Sequence, residues 1–238
     1  MITNIVMLTK DRWELTIQSL TTLYRNTNEA DFNITIIDDG SNEISQAALH
    51  GFLDAKKSNV AMLRIENSQG VTGRARNLGV YWSEKTFGRG EYLYLSDNDV
   101  YFLPKWLNEL TSFFYFFPES NFRLVGGWNH PFLNPHTEVR GCGVYSHDAI
   151  AGASQLMRWE TWDKYGPLVA NAPGTCQGED WLFCQKIIED GGKVGSIYPR
   201  VVLNCGITNS EGKPAQGPDV MLAELQEARK TYTDIYWE

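Results

Sequence analysis

The stretch YLYLSDND, residues 92–99, decides the fold class and marks the first candidate site. Its apolar and aromatic start predicts a short buried strand, which ends at the polar residues that follow. Asp97 and Asp99 therefore stand one residue apart, directly after a strand. Because ligands of open α/β sheets bind at the carboxyl ends of the strands, the pair is either a ligand site or a common turn and capping cluster.

The chain before this stretch alternates between strand and helix signals. Asp11 is the predicted N-cap of the first helix. The alternation predicts a mostly parallel sheet with right-handed crossovers, which is an α/β fold. The predicted strands, each with the helix that follows it, are 4–8 with 13–24, 32–37 with 45–57, and 60–65 with a helix ending near Phe87.

The chain after residue 100 has weaker signals. Residues 121–150 are rich in glycine and proline and are expected to form a meander or excursion with short β-like runs. The other predicted elements are a helix at 106–117, a strand at 151–158, a helix at 181–190, a last strand at 194–203 and a C-terminal helix at 222–231.

The composition fits one soluble α/β domain. The chain has 238 residues and a formal net charge of −8, which argues against general affinity for nucleic acid. It shows neither a secretory signal nor a membrane-spanning apolar run. The four cysteines form no CxxC pair, so reduced thiols and a cytoplasmic location are expected.

The acidic residues at two strand ends favour a nucleotide site. Two carboxylates at Asp97 and Asp99 suit Mg²⁺ or Mn²⁺, with substrate phosphates filling the remaining octahedral positions. Asp38 and Asp39 end an earlier strand and would open on the same side of the sheet. An aspartate there is either part of a turn or an acceptor for a base N–H or a ribose hydroxyl.

Two arginines lie near the predicted start of the third helix. Arg74 and Arg76 can bind phosphate there, since a bidentate guanidinium and the helix dipole both favour an anion. The alternative is a structural pair between Arg76 and Asp38 or Asp39.

A third acidic cluster, Glu179 and Asp180, stands just before a helix. It either caps that helix or supplies a general base that takes the proton from an acceptor hydroxyl.

The order of these motifs resembles that of GT-A fold glycosyltransferases of the family-two type. The similarity runs from about residue 3 to residue 205, and its specificity comes from the shared order of motifs that are loose individually. The matching segments are Thr9 with Arg12, Asp38 to Ser41, Asn67 to Gly79, Asp97 to Asp99, Gly152 to Arg158, and Gly178 to Phe183.

The resemblance implies a role for each matching residue. Asp97 would approach the ribose or the metal, Asp99 would bind Mn²⁺ or Mg²⁺, and Asp180 would be the general base, with Glu179 as its alternative. The residues expected to contact the nucleotide-sugar donor are Thr9, Arg12, Asp39, Arg74, Arg76 and Asp97. One departure is that Asn204 and Cys205 stand where many such enzymes have a histidine metal ligand.

The expected activity is metal-dependent transfer of a sugar from a nucleotide diphosphate, a UDP-sugar, with inversion. A retaining transferase, a sugar nucleotidyltransferase and a non-catalytic carbohydrate-binding protein remain alternatives. The acceptor is open among a glycan, a small molecule, a protein and a modified nucleobase. We expect one catalytic domain over 1–238, with a donor-binding half at 1–100, an acceptor and catalytic half at 101–205, and a C-terminal loop and helix at 206–238.

Overall fold

The structure is a computed structural model. It describes residues 1–54, 58–66, 68, 70–127, 137–139, 144–146, 149–169, 178–197 and 201–204. The predicted C-terminal helix at 222–231, and with it the whole 206–238 segment, lies outside the described residues.

The first part of the chain forms the predicted alternation of strands and helices. Alternating apolar residues of each strand meet an amphipathic helix on either face, so the units pack as layers. The elements are β1 Thr3–Thr9, α1 Trp13–Asn26, β2 Phe32–Asp38, α2 Glu43–Leu53, β3 Val60–Arg64, α3 Thr72–Phe87 and β4 Tyr92–Asp97.

The second part adds further strands and three helices. The elements are β5 Val100–Phe102, α4 Trp106–Phe116, β6 Phe122–Gly126, β7 Thr137–Val139, β8 Val144–Ser146, β9 Ser154–Arg158, α5 Trp159–Tyr165, α6 Glu179–Glu189, β10 Lys193–Ile197 and β11 Val202–Asn204.

The main sheet is mostly parallel, as the sequence predicts. Its nine described strands have the order β3-β2-β1-β4-β9-β6-β10-β8-β7. Strands β3, β2, β1 and β4 run parallel, β9 is antiparallel to both neighbours, and β6 and β10 are again parallel to each other. The short strands β5 and β11 pair in a separate two-stranded sheet.

The strand register brings the acidic clusters to one edge. Thr9 pairs with Asp38, and Leu8 pairs with Asp97, so three parallel strands end together. The sheet is buried on both faces. Ile5 and Met7 pack with Trp106 on one side, whereas Val6 packs with Phe183 on the other. Because both faces are covered by helices, the strand ends are left as the accessible edge of the sheet.

Two predictions were wrong. Asp11 does not cap α1, because both Asp11 and Arg12 have positive φ values and Arg12 occupies the N-cap position without a side-chain cap bond. The Asp11 carboxylate instead accepts a hydrogen bond from Asn42 N at 2.8 Å. The predicted last strand at 194–203 is two strands, β10 and β11, which belong to different sheets.

Among the described residues, no helix is long and apolar enough to cross a membrane.

Candidate active site

A cleft of about 430 Å³ opens at the carboxyl edge of the parallel strands. It collects side chains from β1, α3, β4, the 149–153 segment, α6 and β11. Six of the predicted site residues lie in its wall. The lining residues are Leu8, Lys10, Arg12, Thr72, Arg76, Asp97, Asn98, Asp99, Ala151, Gly152, Ala153, Glu179, Asp180 and Asn204.

Asp97, at the end of β4, is held by a buried arginine. Its Oδ1 accepts a short hydrogen bond from the guanidinium of Arg76, which reaches it from the first turns of α3. The Arg76 side chain is only 3% exposed, whereas that of Asp97 is 35% exposed. The alternative pairing of Arg76 with Asp38 or Asp39 was wrong, because Arg76 pairs with Asp97 and the arginine near Asp38 is Arg64, at 3.9 Å.

Asp99 lies two residues further on and is held by a second arginine. Its Oδ2 is 2.9 Å from Arg12 Nη1, while its Oδ1 is buried without a hydrogen-bond partner. Burial and the charge of Asp97 raise the pKa of Asp99 to about 6, although Arg12 acts in the opposite direction. The proximity of the two carboxylates, together with burial, thus disfavours the charged form of Asp99.

The backbone at Asp11 and Arg12 is held in the left-handed conformation, which residues other than glycine rarely adopt. Asp11 and Arg12 have φ values of 52° and 54°. Asp11 N donates to Ser41 Oγ at 2.8 Å, and its carboxylate accepts from Asn42, so the loop is bound to the turn after β2. These bonds stabilise the strained loop and fix the point from which the Arg12 side chain starts.

Asp180 faces the cleft from the first turn of α6 and is oriented by backbone donors. Its Oδ2 accepts from Gly152 N at 3.0 Å, and its Oδ1 accepts from Trp181 N at 2.7 Å. Each oxygen keeps a further lone pair, so the carboxylate can still accept a proton or a hydroxyl hydrogen.

Glu179 has a different environment from its neighbour Asp180. The residue is 4% exposed, and burial raises the pKa of its carboxyl group above the ordinary value. It interacts electrostatically with Arg76, which lowers its pKa, and with Asp97, which raises it.

Gly152 provides space as well as a hydrogen bond. A Cβ at this position would lie 2.8 Å from Arg76 Cζ and closer still to Nη1. The absence of a side chain therefore allows the buried guanidinium to lie against the backbone whose N–H holds Asp180. The motif Gly152 to Arg158 was recognised in the sequence, but this double role was not.

Three predicted donor residues lie outside the cleft wall. Thr9 is buried, and its hydroxyl lies 3.1 Å from Thr16 Oγ1 and accepts from Asn98 Nδ2 at 3.2 Å. Asp39 is buried beside the end of β1, where its N donates to Thr9 O at 2.8 Å. Arg74 is exposed on α3. The structure thus brings together six of the nine predicted residues and leaves these three apart.

The donor set fits a divalent cation bound mainly through its substrate. Among the described residues, no three His, Cys, Asp or Glu side chains cluster closely enough to hold a metal ion by themselves. Asp97 and Asp99 nevertheless supply two carboxylates, and Asp99 Oδ1, which is buried and accepts no hydrogen bond, is an oxygen that could coordinate a cation. One or two carboxylates with phosphates and water are the usual protein contribution to a Mg²⁺ site.

Sequence reasoning did not single out Asn98 as a structural residue. Its amide binds both Thr9 and Thr16, with 2.7 Å from Nδ2 to Thr16 Oγ1, and so joins the end of β1 to the turn after β4. In the sequence, Asn98 stands out only because it lies between Asp97 and Asp99, and that position does not indicate its contacts with Thr9 and Thr16. Asn204, noted only for the missing histidine, lines the cleft.

The sequence profile described as Glycosyl transferase family 2 matches residues 4–122, which is half of the chain. The match includes both acidic clusters at the strand ends and the arginines of α3. The protein therefore belongs to glycosyl transferase family 2, and its fold is the GT-A α/β fold. No individual protein of curated function matches the chain.

Solved structures of low sequence identity share the fold. A mannosyltransferase from Pyrobaculum calidifontis, in complex with GDP-Man and Mn²⁺, has a TM-score of 0.65 at 12% identity, over 87% of this chain and 58% of its own. GalNAc-T7 with UDP, GalNAc and Mn²⁺ has a TM-score of 0.69 at 17% identity, over 99% and 48%. TarS 1–349 from S. aureus in complex with UDP-GlcNAc has a TM-score of 0.64 at 12% identity, over 100% of this chain and 68% of its own. The chain thus spans about half the length of the first two.

Proposed function

We propose that the protein transfers a sugar from a nucleotide diphosphate donor, a UDP-sugar, to an acceptor hydroxyl with inversion at the anomeric carbon. The observation that carries this proposal is the cleft itself, which is lined both by Asp97 and Asp99, at and just after the end of β4, and by Glu179 and Asp180 of α6. An inverting displacement requires two separate functions, one at the departing phosphate and one at the attacking hydroxyl. The two acidic pairs come from different elements, so each can serve one function.

Asp97 and Asp99 are the residues that would hold Mn²⁺ or Mg²⁺. A cation bound there would offset the negative charge that develops on the departing nucleoside diphosphate. Two of the structural relatives are complexes with Mn²⁺, which supports the choice of metal. Arg12 and Arg76 add positive charge to the same wall of the cleft, where they can bind phosphate oxygens.

Asp180 is the better candidate for the general base. Two backbone N–H groups orient its carboxylate, and the residue is partly exposed to the cleft. Glu179 is buried and its pKa is raised, so it is less suited to collect a proton from an entering hydroxyl. We assign Glu179 to the support of Arg76, with which it interacts electrostatically.

The uridine nucleotide, the donor contacts of Thr9, Asp39 and Arg74, and the cytoplasmic location are further parts of the proposal. Two of the relatives are complexes with UDP or UDP-GlcNAc, which favours uridine, whereas the third is a complex with GDP-Man. Thr9 lines a small cavity together with Asp11 and Asp38, and Asp39 is buried at the end of β2.

Thermal shift measurements with a panel of UDP-sugars and GDP-Man, each with Mn²⁺, test this function. A ligand that binds the native state raises the melting temperature in proportion to RT ln(1 + [L]/Kd). We expect one UDP-sugar to give the largest shift and Asp99→Ala to abolish it. Release of UDP from that donor would then show catalysis, and proton NMR of the glycoside product would give its anomeric configuration. A panel without any shift, together with identical calorimetry for wild type and Asp99→Ala, would contradict the proposal.

A further inference from the structure

The two arginines that hold the acidic pair of β4 differ in how freely they can move. Arg76 is 3% exposed and lies against the backbone of Gly152, so burial restricts its side chain to the neighbourhood of Asp97. Arg12 is 42% exposed and extends from a loop at the mouth of the cleft. Of these two cations, only Arg12 has access to solvent over much of its side chain.

Arg12 pairs with Asp99, whose second carboxylate oxygen accepts no hydrogen bond. Asp99 offers Oδ2 to Arg12 Nη1 at 2.9 Å, while Oδ1 is buried and unpartnered. A carboxylate buried beside another carboxylate requires a positive charge, and in this structure a guanidinium supplies it. A divalent cation at the same carboxylate would stand close to the guanidinium, and the repulsion between them disfavours simultaneous binding.

Hydrogen bonds hold the backbone of the loop that contains Asp11 and Arg12 in place. Positive φ values at Asp11 and Arg12 are maintained by the hydrogen bonds to Ser41 and Asn42. A long side chain on a fixed backbone can change rotamer without moving the loop. Arg12 can therefore exchange partners within the cleft at the cost of a side-chain rotation.

We propose that Arg12 is an exchangeable countercation: it neutralises Asp99 in the protein without donor, and it releases Asp99 to a divalent cation and turns to the donor's diphosphate. This inference rests on the proposed function. It assigns Arg12 two opposed effects, since the side chain competes with the metal before the donor binds and supports the phosphates afterwards. A purely structural arginine would have neither effect on binding.

The test is isothermal calorimetry of Mn²⁺ with the full chain, in the absence of nucleotide. Arg12→Ala and Arg12→Gln both remove the competing guanidinium, and we expect about three- to tenfold tighter Mn²⁺ binding than in wild type. Arg25→Ala is the matched control, because it removes the same charge from the exposed last turn of α1. That position is roughly 20 Å from Arg12 along the helix, beyond the Debye length at physiological salt.

A second titration adds UDP at saturating Mn²⁺. Both Arg12 variants should then bind UDP about tenfold more weakly, because a charge-assisted contact to phosphate is lost. Thermal unfolding of each variant checks that the fold is retained, and Arg12→Gln serves if Arg12→Ala does not fold.

Tighter metal binding with weaker UDP binding supports the exchange. Metal binding that is unchanged or weaker in the Arg12 variants overturns the inference, and the proposed function stands if wild type still binds Mn²⁺ and UDP. A wild type that binds neither ligand overturns both. An equal gain in Arg25→Ala would show a general charge effect and would also overturn the exchange.

Discussion

The two walls of the cleft hold their carboxylates in different ways. On the β4 wall, Asp97 and Asp99 are each paired with an arginine guanidinium. On the α6 wall, Asp180 is held by the backbone N–H groups of Gly152 and Trp181. The first arrangement balances charge with charge, whereas the second fixes orientation with neutral donors.

This difference separates two chemical tasks. A carboxylate beside a cation can exchange that cation for another, which suits a residue that binds metal and phosphate in turn. A carboxylate on backbone donors keeps its position while it gains or loses a proton, which suits a general base. If the two walls differ in this way, substitutions on each wall should have different effects on rate, binding and stability.

Replacement of Asp180 should have the largest effect. Asp180→Asn keeps the size of the side chain but removes the base, so we expect the rate of UDP release from the donor to fall by about 10²- to 10⁴-fold. The affinity for UDP with Mn²⁺ should change little, because Asp180 is not on the β4 wall.

The matched control for this variant is Glu189→Gln. Glu189 is exposed at the other end of α6, so the same change of charge there should leave both the rate and the affinity unaltered. Equal losses of rate and UDP affinity in Asp180→Asn would show that Asp180 belongs with the donor-binding wall.

The two arginine pairs should differ in their effect on stability. Asp97→Ala leaves Arg76 buried without its carboxylate, and we expect unfolding free energy to fall by about 2–4 kcal/mol. Asp99→Ala leaves an arginine whose side chain is 42% exposed, so its cost should be below about 1 kcal/mol. Urea unfolding at pH 7.5 in EDTA measures both. Similar losses would mean that Arg12 is as fixed as Arg76, against the exchange inferred above.

Gly152 connects the two walls, and its replacement should affect both moderately. Gly152→Ala places a Cβ against the Arg76 guanidinium, so we expect a loss of about 1–3 kcal/mol of stability and a lower rate of UDP release. Gly51→Ala is the control, since a Cβ there meets no atom within 4 Å and the residue lies within α2. The control should be neutral or more stable by about 0.5–1 kcal/mol. A fully active and stable Gly152→Ala would contradict the close approach.

The β4 wall could be predicted from the sequence because its signals are local. A strand that stops at an acidic pair fixes where Asp97 and Asp99 lie, and parallel pairing follows from the regular alternation of strands and helices. The α6 wall was predicted only as two carboxylates before a helix. Its geometry depends on Gly152, which lies 28 residues from Asp180 in the chain, and no local pattern reports such a contact.

The predictions that failed share a physical reason. Asp11 was predicted to cap α1 because aspartate is common at helix starts. Its carboxylate instead accepts a hydrogen bond from Asn42 N in the turn after β2, 31 residues away. The single strand predicted at 194–203 reflects continuous apolar character, which does not show that the chain changes from one sheet to the other. Tertiary contacts overrode local preference in both places.

The smallest effect concerns the pH dependence of stability on the β4 wall. The pKa of Asp99 is about 6 in the folded protein, above its ordinary value of 3.8, so the folded state holds this proton more tightly than the unfolded state. That contribution is fully present below about pH 4 and is lost as the pH rises through about 6. Between pH 5 and pH 7 the metal-free wild type should therefore lose about 1 kcal/mol that Asp99→Asn does not lose. Urea unfolding of both proteins in EDTA at the two pH values measures the difference. If Arg12 controlled the titration of Asp99 instead of burial and Asp97, the pKa would be lowered, and wild type would become more stable than Asp99→Asn as the pH rises.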